Sequence, residues 1–384
     1  MNVKRLLVVD DDPDVCTFIR KVGEGVGFQV LTAANAATFK QSYKSFQPSL
    51  IVLDLVIPGT DGVELLRFLA QEQSKSAVLV VSGAEKRVVL TTERLGEAQG
   101  LKMIGHLEKP IRIEKLREIF DNVSEQFQAI SADELRRAIR DNELVLHYQP
   151  KVDLLSRKPV GCEALLRWNH PKHGLLAPDR FVPLAEQSGL IEGVTEWVLN
   201  VALAQTRRWL DLGFDLAMAV NVSAPTLYDL RFPDFVGVAL SKADVPGPKL
   251  QLEFTESQTI GDVVQAMDTV SRLRLKQVEL AIDDFGTGYS SLKQLQRMPV
   301  SEIKIDKSFV MSAPTSADAM VIVRAIIDLG HNLGLKVVAE GVETEAVWRL
   351  LVAEGCDLAQ GYFISRPVPP DKFEAWHADW TAAR

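Results

Sequence analysis

Two successive series of short apolar runs, each run followed by a longer segment, limit this chain to α/β folds. In the first series, the runs that read as strands are RLLVVD, FQVLTA, LIVLDLVIP, AVLVVSG and MIGHLEKP, and segments such as PDVCTFIRKVGEGVG between them have helical periodicity. Strands that alternate with crossover helices lie in a parallel sheet. Residues 1–122 therefore predict five βα units with the strand order of flavodoxin-like sheets.

The second series begins near Ser131 and contains eight strand candidates. They are LVLHYQPKV, VGCEALLRW, LAMAVNVS, KLQLEFTE, VELAIDD, SEIKID, LKVVAEG and CDLAQGYF. All but one of the connections can hold a crossover helix, which predicts a TIM-like (β/α)8 barrel with its site at the strand carboxyl ends. The segment LLSRKP between the first two candidates is too short for a helix, so we expect an antiparallel first strand.

The two series predict a domain at 1–122, a helical linker at 123–132 and a second domain at 133–384. Around the linker, six apolar residues recur at spacings of three and four, which indicates a helix with one apolar stripe. They are Ile113, Leu116, Phe120, Val123, Phe127 and Ile130. The stripe is shorter than the three or four heptads of a convincing coiled coil, so packing on the sheet and dimerisation both stay open. We expect a homo-oligomer.

Charge and composition narrow the class of protein. No apolar run approaches the roughly 18 residues of a membrane span, and MNVKRLLVVDDD reaches acids too early for a secretory signal, so we expect a cytoplasmic chain without membrane insertion. Residues 1–122 carry 16 basic and 16 acidic side chains, so the net charge of −8 belongs to the rest. An acidic second domain argues against nucleic-acid binding. Three cysteines without CxxC spacing indicate neither disulfides nor a thiolate zinc site.

Carboxylates follow two strand candidates of the first domain. Asp10, Asp11 and Asp12 come after the first candidate, and Asp54 comes after the third. Flavodoxin-like sheets place their ligand sites at these carboxyl ends. Because Mg²⁺ prefers carboxylate oxygens and keeps several waters, it can be held there while a phosphoryl group is delivered to one of the acids.

Polar residues also stand near the ends of the barrel strands, almost one per strand. They are Glu163, Asn221, Glu253, Asp283, Asp284, Lys304, Glu340 and Gln360. Carboxylates that converge at one barrel mouth repel each other unless cations bind among them. Successive strand residues point to opposite sides, so the two adjacent aspartates can address two different cations. Two Mg²⁺ or Mn²⁺ ions about 3.5–4 Å apart would activate a water and hold a phosphodiester for in-line displacement.

The motifs EALLRW, NVS, EFTES, DDFGTGYSSL, KIDKSFV, AEGVET and QGYFISRP together resemble those of EAL-domain cyclic-di-GMP phosphodiesterases. The resemblance implies hydrolysis of cyclic di-GMP to linear pGpG with two divalent cations. It implies that the metal ligands are Glu163, Asn221, Glu253, Asp283 and Asp284. Other roles are implied too: Lys304 and Glu340 beside the attacking water, Gln149, Arg167 and Gln360 near the substrate, and Glu256 steadying the loop after Asp284. Whether Lys304 or Glu340 handles the proton stays open.

The first domain resembles response-regulator receivers in VVDDD, LDLVIPGTDG, VVSGA and EKP. The resemblance implies that Asp54 accepts a phosphoryl group from a sensor histidine kinase, and that one Mg²⁺ or Mn²⁺ ion is held by Asp10, Asp11 and Asp54. It implies that Ser82 senses the phosphoryl group and that Lys109 pairs with it. Receivers commonly carry Tyr or Phe three residues before this lysine, and His106 stands there instead. The usual aromatic relay residue is therefore replaced by a histidine.

One alternative function remains, a catalytically silent cyclic-di-GMP receptor that signals through a protein partner. The complete set of metal acids and Lys304 favours the enzyme. The motif HPKH at 170–173 is expected to be a loop and GEGVG at 23–27 a helix end. No motif of the GGDEF type is present, so synthesis of the dinucleotide is not expected.

Overall fold

The computed structural model describes residues 4–126, 130–255, 263–287, 295 and 297–382. The chain divides into two compact units, residues 1–129 and 130–384, which are described separately below. No helix in the described ranges is long and apolar enough to cross a membrane.

The first unit is a five-stranded parallel sheet with helices on both faces, in the strand order β2-β1-β3-β6-β7. This order confirms the flavodoxin-like prediction. Its sheet strands are β1 (Arg5–Val9), β2 (Gln29–Ala33), β3 (Leu50–Asp54), β6 (Ala77–Ser82) and β7 (Lys102–Glu108), with a small unpredicted hairpin of β4 (Val56–Ile57) and β5 (Thr60–Asp61) after β3. Its helices are Pro13–Gly25, Ala36–Phe46, Gly62–Gln71, Lys86–Ala98 and Ile113–Gln126.

Alternation along β1 explains the two layers of core in this unit. Leu6 and Val8 are buried on one face with Phe120 of the last helix, and Leu7 and Val9 are buried on the other face. A strand covered on both faces has no polar side, which is why RLLVV reads as a continuous apolar run. The third aspartate after β1, Asp12, caps the helix Pro13–Gly25 by accepting from the backbone N–H of Asp14.

The second unit is a closed eight-stranded barrel, which confirms the TIM-like prediction. Its strands are β8 (Leu144–Asp153), β9 (Pro159–His170), β11 (Ala217–Asn221), β12 (Leu250–Thr255), β13 (Glu279–Phe285), β14 (Glu302–Ile305), β15 (Lys336–Ala339) and β16 (Leu358–Ala359), and β10 (Gly174–Leu176) adds to β9 outside the ring. Strand β8 closes the ring and runs antiparallel to both of its neighbours, β9 and β16. All other neighbours in the ring pair in parallel.

The described helices of this unit surround the barrel and bury its outer face. They are Ala132–Arg140, Val182–Gln187, Ile191–Asp211, Ala224–Leu227, Phe232–Ala243, Val263–Leu275, Lys307–Ser312, Ala317–Asn332, Glu345–Ala353 and Pro370–Ala382, with 3-10 turns at Pro178–Arg180 and Gly247–Lys249. The first helix begins with a capping box in which Ser131 and Glu134 satisfy each other's backbone N–H groups. On β12 and β14, Leu252, Phe254 and Ile303 belong to the apolar core.

Residues that alternate with this apolar set point into the barrel and are polar. Glu253 and Lys304 have no exposed surface. A barrel interior is normally filled with branched apolar side chains, so a charged interior marks the place where the fold has been adapted to a function.

The segments HPKH and GEGVG form a turn and a helix end, as predicted from the sequence. HPKH forms the turn from β9 into β10, and His170 is the last residue of β9. The Nδ1 atom of His170 accepts a hydrogen bond from the backbone N–H of Lys172 at 3.0 Å. Gly23 and Gly25 lie in the last turn of the helix Pro13–Gly25. In the apolar stripe, Leu116, Phe120 and Val123 are buried, and Phe127 lies outside the described residues.

Candidate active site

A single lysine lies at the centre of the acids in the barrel. Lys304 extends from β14, and its Nζ lies 2.7 Å from Glu253 Oε2, 3.1 Å from Asp283 Oδ2 and 2.6 Å from Glu340 Oε1. Its distance to Glu163 Oε2 is 3.6 Å. Four carboxylates around one fully buried ammonium raise the pKa of Lys304 well above its usual value despite the burial, so this lysine is charged.

Glu163 on β9 is fixed by two side-chain amides. Its Oε1 accepts from Asn221 Nδ2 at 2.6 Å, and its Oε2 accepts from Gln360 Nε2 at 2.6 Å. The same nitrogen of Gln360 donates to Gln149 Oε1 at 3.1 Å, which links β8 to this chain of hydrogen bonds. Although burial opposes it, Lys304 and the two amides lower the pKa of Glu163, so this carboxylate is ionised.

The paired aspartates lie at an irregularity in β13. The sequence predicts that these neighbouring residues point to opposite sides of the strand and address two different cations. Instead, the β13–β14 register shifts between Ile282 and Phe285, and Asp284 has a positive φ of 54°. This turn brings its carboxylate to the same cluster as Asp283 and Glu340, where their oxygens lie within 4.8 Å of one another. Left-handed backbone at a non-glycine residue is uncommon and often marks a functional site.

Several of these acids hold protons more tightly than usual. Burial, with repulsion from neighbouring acids, raises the pKa of Glu340 to about 8. The same causes raise the pKa of Glu253 to about 7 and that of Asp284 to about 6. A site that crowds carboxylates until they resist ionisation is one that a cation would stabilise.

The acids form two groups that could each hold a metal ion. One consists of Glu163, Glu253 and Asp283, the other of Asp283, Asp284 and Glu340, and Asp283 belongs to both. Carboxylate oxygens are the ligands that Mg²⁺ and Mn²⁺ prefer. The residues present therefore fit two divalent cations that share a ligand.

Four polar residues of the barrel were missed by the sequence analysis. Asp306, two residues after Lys304, is buried, caps the helix Lys307–Ser312 and hydrogen-bonds to Asp284. Deeper in the barrel, Lys151 of β8 contacts Gln251, Glu253 and Glu302. The two-residue period of a strand could have identified the deeper pair. Lys151 lies two residues after Gln149, and Glu302 lies two residues before Lys304, so each points to the same side of its strand as the predicted site residue.

Counted with these deeper residues, seven carboxyl groups of the described chain line the barrel interior against two ammonium groups. The acids are Glu163, Glu253, Asp283, Asp284, Glu302, Asp306 and Glu340, and the lysines are Lys151 and Lys304. If all of these groups were ionised, five negative charges would remain, and two divalent cations would neutralise most of them. In addition, the buried Oε1 of Gln360 has no hydrogen-bond partner among the residues that the structure describes.

The remaining predicted residues stand at the edge of this cluster or outside the described chain. Arg167 lies on β9 four residues after Glu163, and its Nη1 donates to the carbonyl of Leu166 at 2.8 Å. Gln149 donates through Nε2 to the carbonyl of Ser365 at 3.0 Å. Glu256 lies outside the described residues.

In the first unit, the predicted acids meet at the carboxyl ends of β1 and β3. Oxygens of Asp10, Asp11 and Asp54 lie within 4.8 Å of one another. Lys109 Nζ lies 2.8 Å from Asp10 Oδ2 and 2.6 Å from Asp54 Oδ2. Burial raises the pKa of Asp10, although Lys109 opposes the rise. Ser82 is fully buried at the end of β6, and its Oγ accepts from the backbone N–H of Ala84.

His106, at the position where an aromatic relay residue is usual, has a polar partner. Its Nδ1 lies 2.9 Å from Glu93 Oε2 on the helix Lys86–Ala98. Both side chains are largely buried, with 22% and 13% of their surfaces exposed. The pair therefore joins β7 to the helix that follows Ser82.

Comparison with known families defines the class of protein. The EAL domain family matches residues 132–367, and the response regulator receiver domain matches residues 6–121. The chain belongs to the EAL domain family and carries a receiver domain in front of it.

Individual relatives agree with this assignment. The bifunctional diguanylate cyclase/cyclic di-GMP phosphodiesterase MucR of Pseudomonas aeruginosa is 45% identical over 255 residues, covering 66% of this chain and 37% of MucR. The cyclic di-GMP phosphodiesterase NbdA of the same organism is 45% identical over 238 residues, covering 62% of this chain and 30% of NbdA. The chain thus spans 37% and 30% of these two relatives.

A solved structure described as the PaMucR phosphodiesterase in complex with c-di-GMP has the same barrel. It superposes with a TM-score of 0.61 at 45% sequence identity, over 63% of this chain and 98% of that one.

Proposed function

We propose that this chain is a response regulator whose barrel hydrolyses cyclic di-GMP to linear pGpG with two divalent cations, under control of phosphorylation at Asp54. The observation that carries the proposal is the pair of carboxylate groups that share Asp283 around Lys304. The names of MucR and NbdA support the substrate, since both are described as acting on cyclic di-GMP.

In this proposal the two acid groups hold one cation each. Glu163, Asn221, Glu253 and Asp283 would hold the first, and Asp283, Asp284 and Glu340 the second. The bound cations, Mg²⁺ or Mn²⁺, would supply water activation and neutralise charge on the phosphodiester. Hydrolysis adds water to one phosphorus, breaks its bond to the leaving sugar oxygen and gives that oxygen a proton.

The other polar residues of the mouth would orient the reactants. Lys304 offers a fixed positive charge next to four carboxylates, so it is suited to holding the attacking oxygen rather than to accepting its proton. Glu340 would either complete the second cation site or, as a carboxylate beside the attacking water, accept its proton. Arg167 would pair with a phosphate, and Gln149 and Gln360 would line the substrate near Glu163.

The receiver would supply the control. A sensor histidine kinase would transfer a phosphoryl group to Asp54, which lies beside Asp10, Asp11 and Lys109. The added charge and acceptor oxygens would be paired by Lys109, Ser82 and a third divalent cation. Homo-oligomerisation belongs to the same proposal, since a shift in the receiver has its simplest effect by rearranging subunits.

The experiment is an assay of the purified protein with cyclic di-GMP and Mg²⁺, beside two variants that each remove one carboxylate. Glu163→Gln is expected to lower turnover by several orders of magnitude, because a lost ligand weakens both water activation and charge neutralisation. Glu354→Gln removes a carboxylate that pairs with Arg324 on the surface, and it should turn over normally. Wild-type turnover by Glu163→Gln would contradict the proposal, and tight binding without hydrolysis by the wild type would favour a receptor.

A further inference from the structure

The base of the barrel contains a second buried lysine that the reaction proposed above does not use. Lys151 of β8 is 4% exposed, and its Nζ lies 2.5 Å from Glu302 Oε1, 2.8 Å from Gln251 Oε1 and 3.4 Å from Glu253 Oε1. Glu253 therefore lies between two ammonium groups, with Lys151 at one oxygen and Lys304 at the other.

The sequence makes room for this side chain inside the barrel. Lys151 pairs in register with Gly161 on β9, and a Cβ at Gly161 would lie 2.8 Å from the carbonyl oxygen of Ala217. Ala217, Ala219 and Ala281 occupy further inward-facing positions, because they pair in register with Gly161, Glu163 and Glu253 respectively. Small residues at these four positions leave the volume that a long lysine stem requires.

The ammonium of Lys151 is fully used by its neighbours. An ammonium has three donors, and three acceptors surround this one. A cavity of about 280 Å³ lies beside it at the base of the barrel, but no donor of Lys151 remains for a ligand there. This group therefore acts on the protein itself, and among the residues that the structure describes Glu253 is the only partner that it shares with Lys304.

We infer that Lys151 is a positioning residue for the metal site: it holds the Glu253 carboxylate from below in the orientation in which that residue would bind a divalent cation. Lys304 alone is a poor anchor, because it is shared among four carboxylates at the mouth. Lys151 has no contact with those other acids of the mouth within the described chain, so its hold on Glu253 does not depend on how Lys304 is shared.

If Lys151 orients Glu253, its removal should change the affinity for a divalent cation in the direction opposite to that expected from charge alone. Removing a positive charge near a cation site should tighten cation binding if charge alone mattered. Removing a group that orients a metal ligand should weaken cation binding. Such groups typically contribute about 10–100-fold to metal affinity. Because the inference rests on the proposed metal-dependent function, its test measures metal binding in the absence of substrate.

The test is the titration of metal-free protein with Mn²⁺, with free Mn²⁺ followed by electron paramagnetic resonance. Lys151→Met is expected to raise the dissociation constant of at least one ion by about tenfold or more. The matched control, Lys336→Met, removes a lysine that lines the same basal cavity and has no contact with Glu253 within the described residues, so it should bind Mn²⁺ like the wild type.

A double variant separates positioning from folding. Lys151→Met leaves Glu302 buried without its partner, and Lys151→Met with Glu302→Gln removes that unpaired charge. The double variant should regain thermal stability but not Mn²⁺ affinity. Unchanged or tighter Mn²⁺ binding by Lys151→Met, or recovery of wild-type affinity in the double variant, would overturn the inference. A wild type that bound no Mn²⁺ would instead contradict the proposed function.

Discussion

The Nζ of Lys304 lies 2.6 Å from Oε1 of Glu340 at the mouth of the barrel. The lysine is fully buried, and the glutamate, which follows the next strand, keeps 17% of its side chain exposed. A buried pair of this kind stabilises the fold only while both members are present, because a lone buried charge is costly.

Replacing Lys304 should therefore damage both catalysis and metal-free stability. Lys304→Met leaves the mouth acids without their shared cation, and loss of one partner of a buried pair typically costs about 3–5 kcal/mol. The unfolding free energy of the metal-free variant should fall accordingly, Mg²⁺ should restore much of it, and turnover should stay low at every Mg²⁺ concentration. Lys242→Met, on an outer helix, is the control, and near-normal turnover by Lys304→Met would show that its assigned role is wrong.

The stability of the metal-free barrel should decrease as the pH rises. Burial raises the pKa values of Asp284, Glu253 and Glu340 to about 6, 7 and 8, above their ordinary values of 3.8, 4.5 and 4.5. The folded state therefore keeps protons that the unfolded chain has released. The stability that these three groups contribute is fully present below about pH 4 and is lost as the pH rises to about 8. Thermal unfolding in EDTA between pH 5.5 and 8.5 measures this slope.

The matched variant for the pH prediction is Glu340→Gln. It removes the group with the highest of the three pKa values, so the slope above pH 7 should flatten. Saturating Mg²⁺ should reduce or reverse the slope in the wild type, because a bound cation favours ionised ligands. A rise of stability with pH in EDTA would contradict the crowding of these carboxylates.

Phosphorylation of Asp54 should change the rate of hydrolysis. A phosphoryl group adds nearly two negative charges beside Lys109, Ser82 and Asp10, and pairing with it draws in the loops after β6 and β7. The rates to compare are those of the wild type with and without a small phosphodonor, of Asp54→Asn, and of a chain that begins at Ser131. Identical rates in all four would leave the receiver as a docking or localisation module.

The pair of His106 and Glu93 should limit the size of that response. Their contact of 2.9 Å ties β7 to the helix Lys86–Ala98, which has to move if the loop after Ser82 moves. Both His106→Phe and Glu93→Gln remove or weaken this contact and so free the helix to move. Both variants should therefore increase the ratio of the hydrolysis rate with phosphodonor to the rate without it. The isolated barrel provides the baseline. If neither variant changed the ratio, the pair would have no part in the switch.

The two α/β architectures and the meeting of several polar residues at one barrel mouth could be predicted from sequence, because both follow from local patterns. Alternation of apolar runs with helical segments predicts both sheets, and residues near strand ends predict Glu163, Glu253 and Lys304. Asp284 could be predicted as a metal ligand from its place beside Asp283, but the backbone that brings it to Glu340 could not. Its position depends on a register shift against β14 and a positive φ, which strand alternation does not predict.

The polar interior below the mouth was also missed, for a different reason. Lys151 and Glu302 lie on the same sides of their strands as Gln149 and Lys304, but each one alone reads as a surface residue. Only the closed barrel brings β8 and β14 across from each other, so that Lys151 meets a residue 151 positions further along the chain. Contacts across a barrel depend on closure, which no local pattern encodes.

The proposed hydrolysis is tested by chromatographic analysis of cyclic di-GMP after incubation with the purified chain, in Mg²⁺ and in EDTA. We expect linear pGpG to accumulate in Mg²⁺, no product in EDTA, and recovery of activity when Mg²⁺ or Mn²⁺ is added back. Full hydrolysis in EDTA, or intact cyclic di-GMP in the presence of both Mg²⁺ and Mn²⁺, would contradict the account.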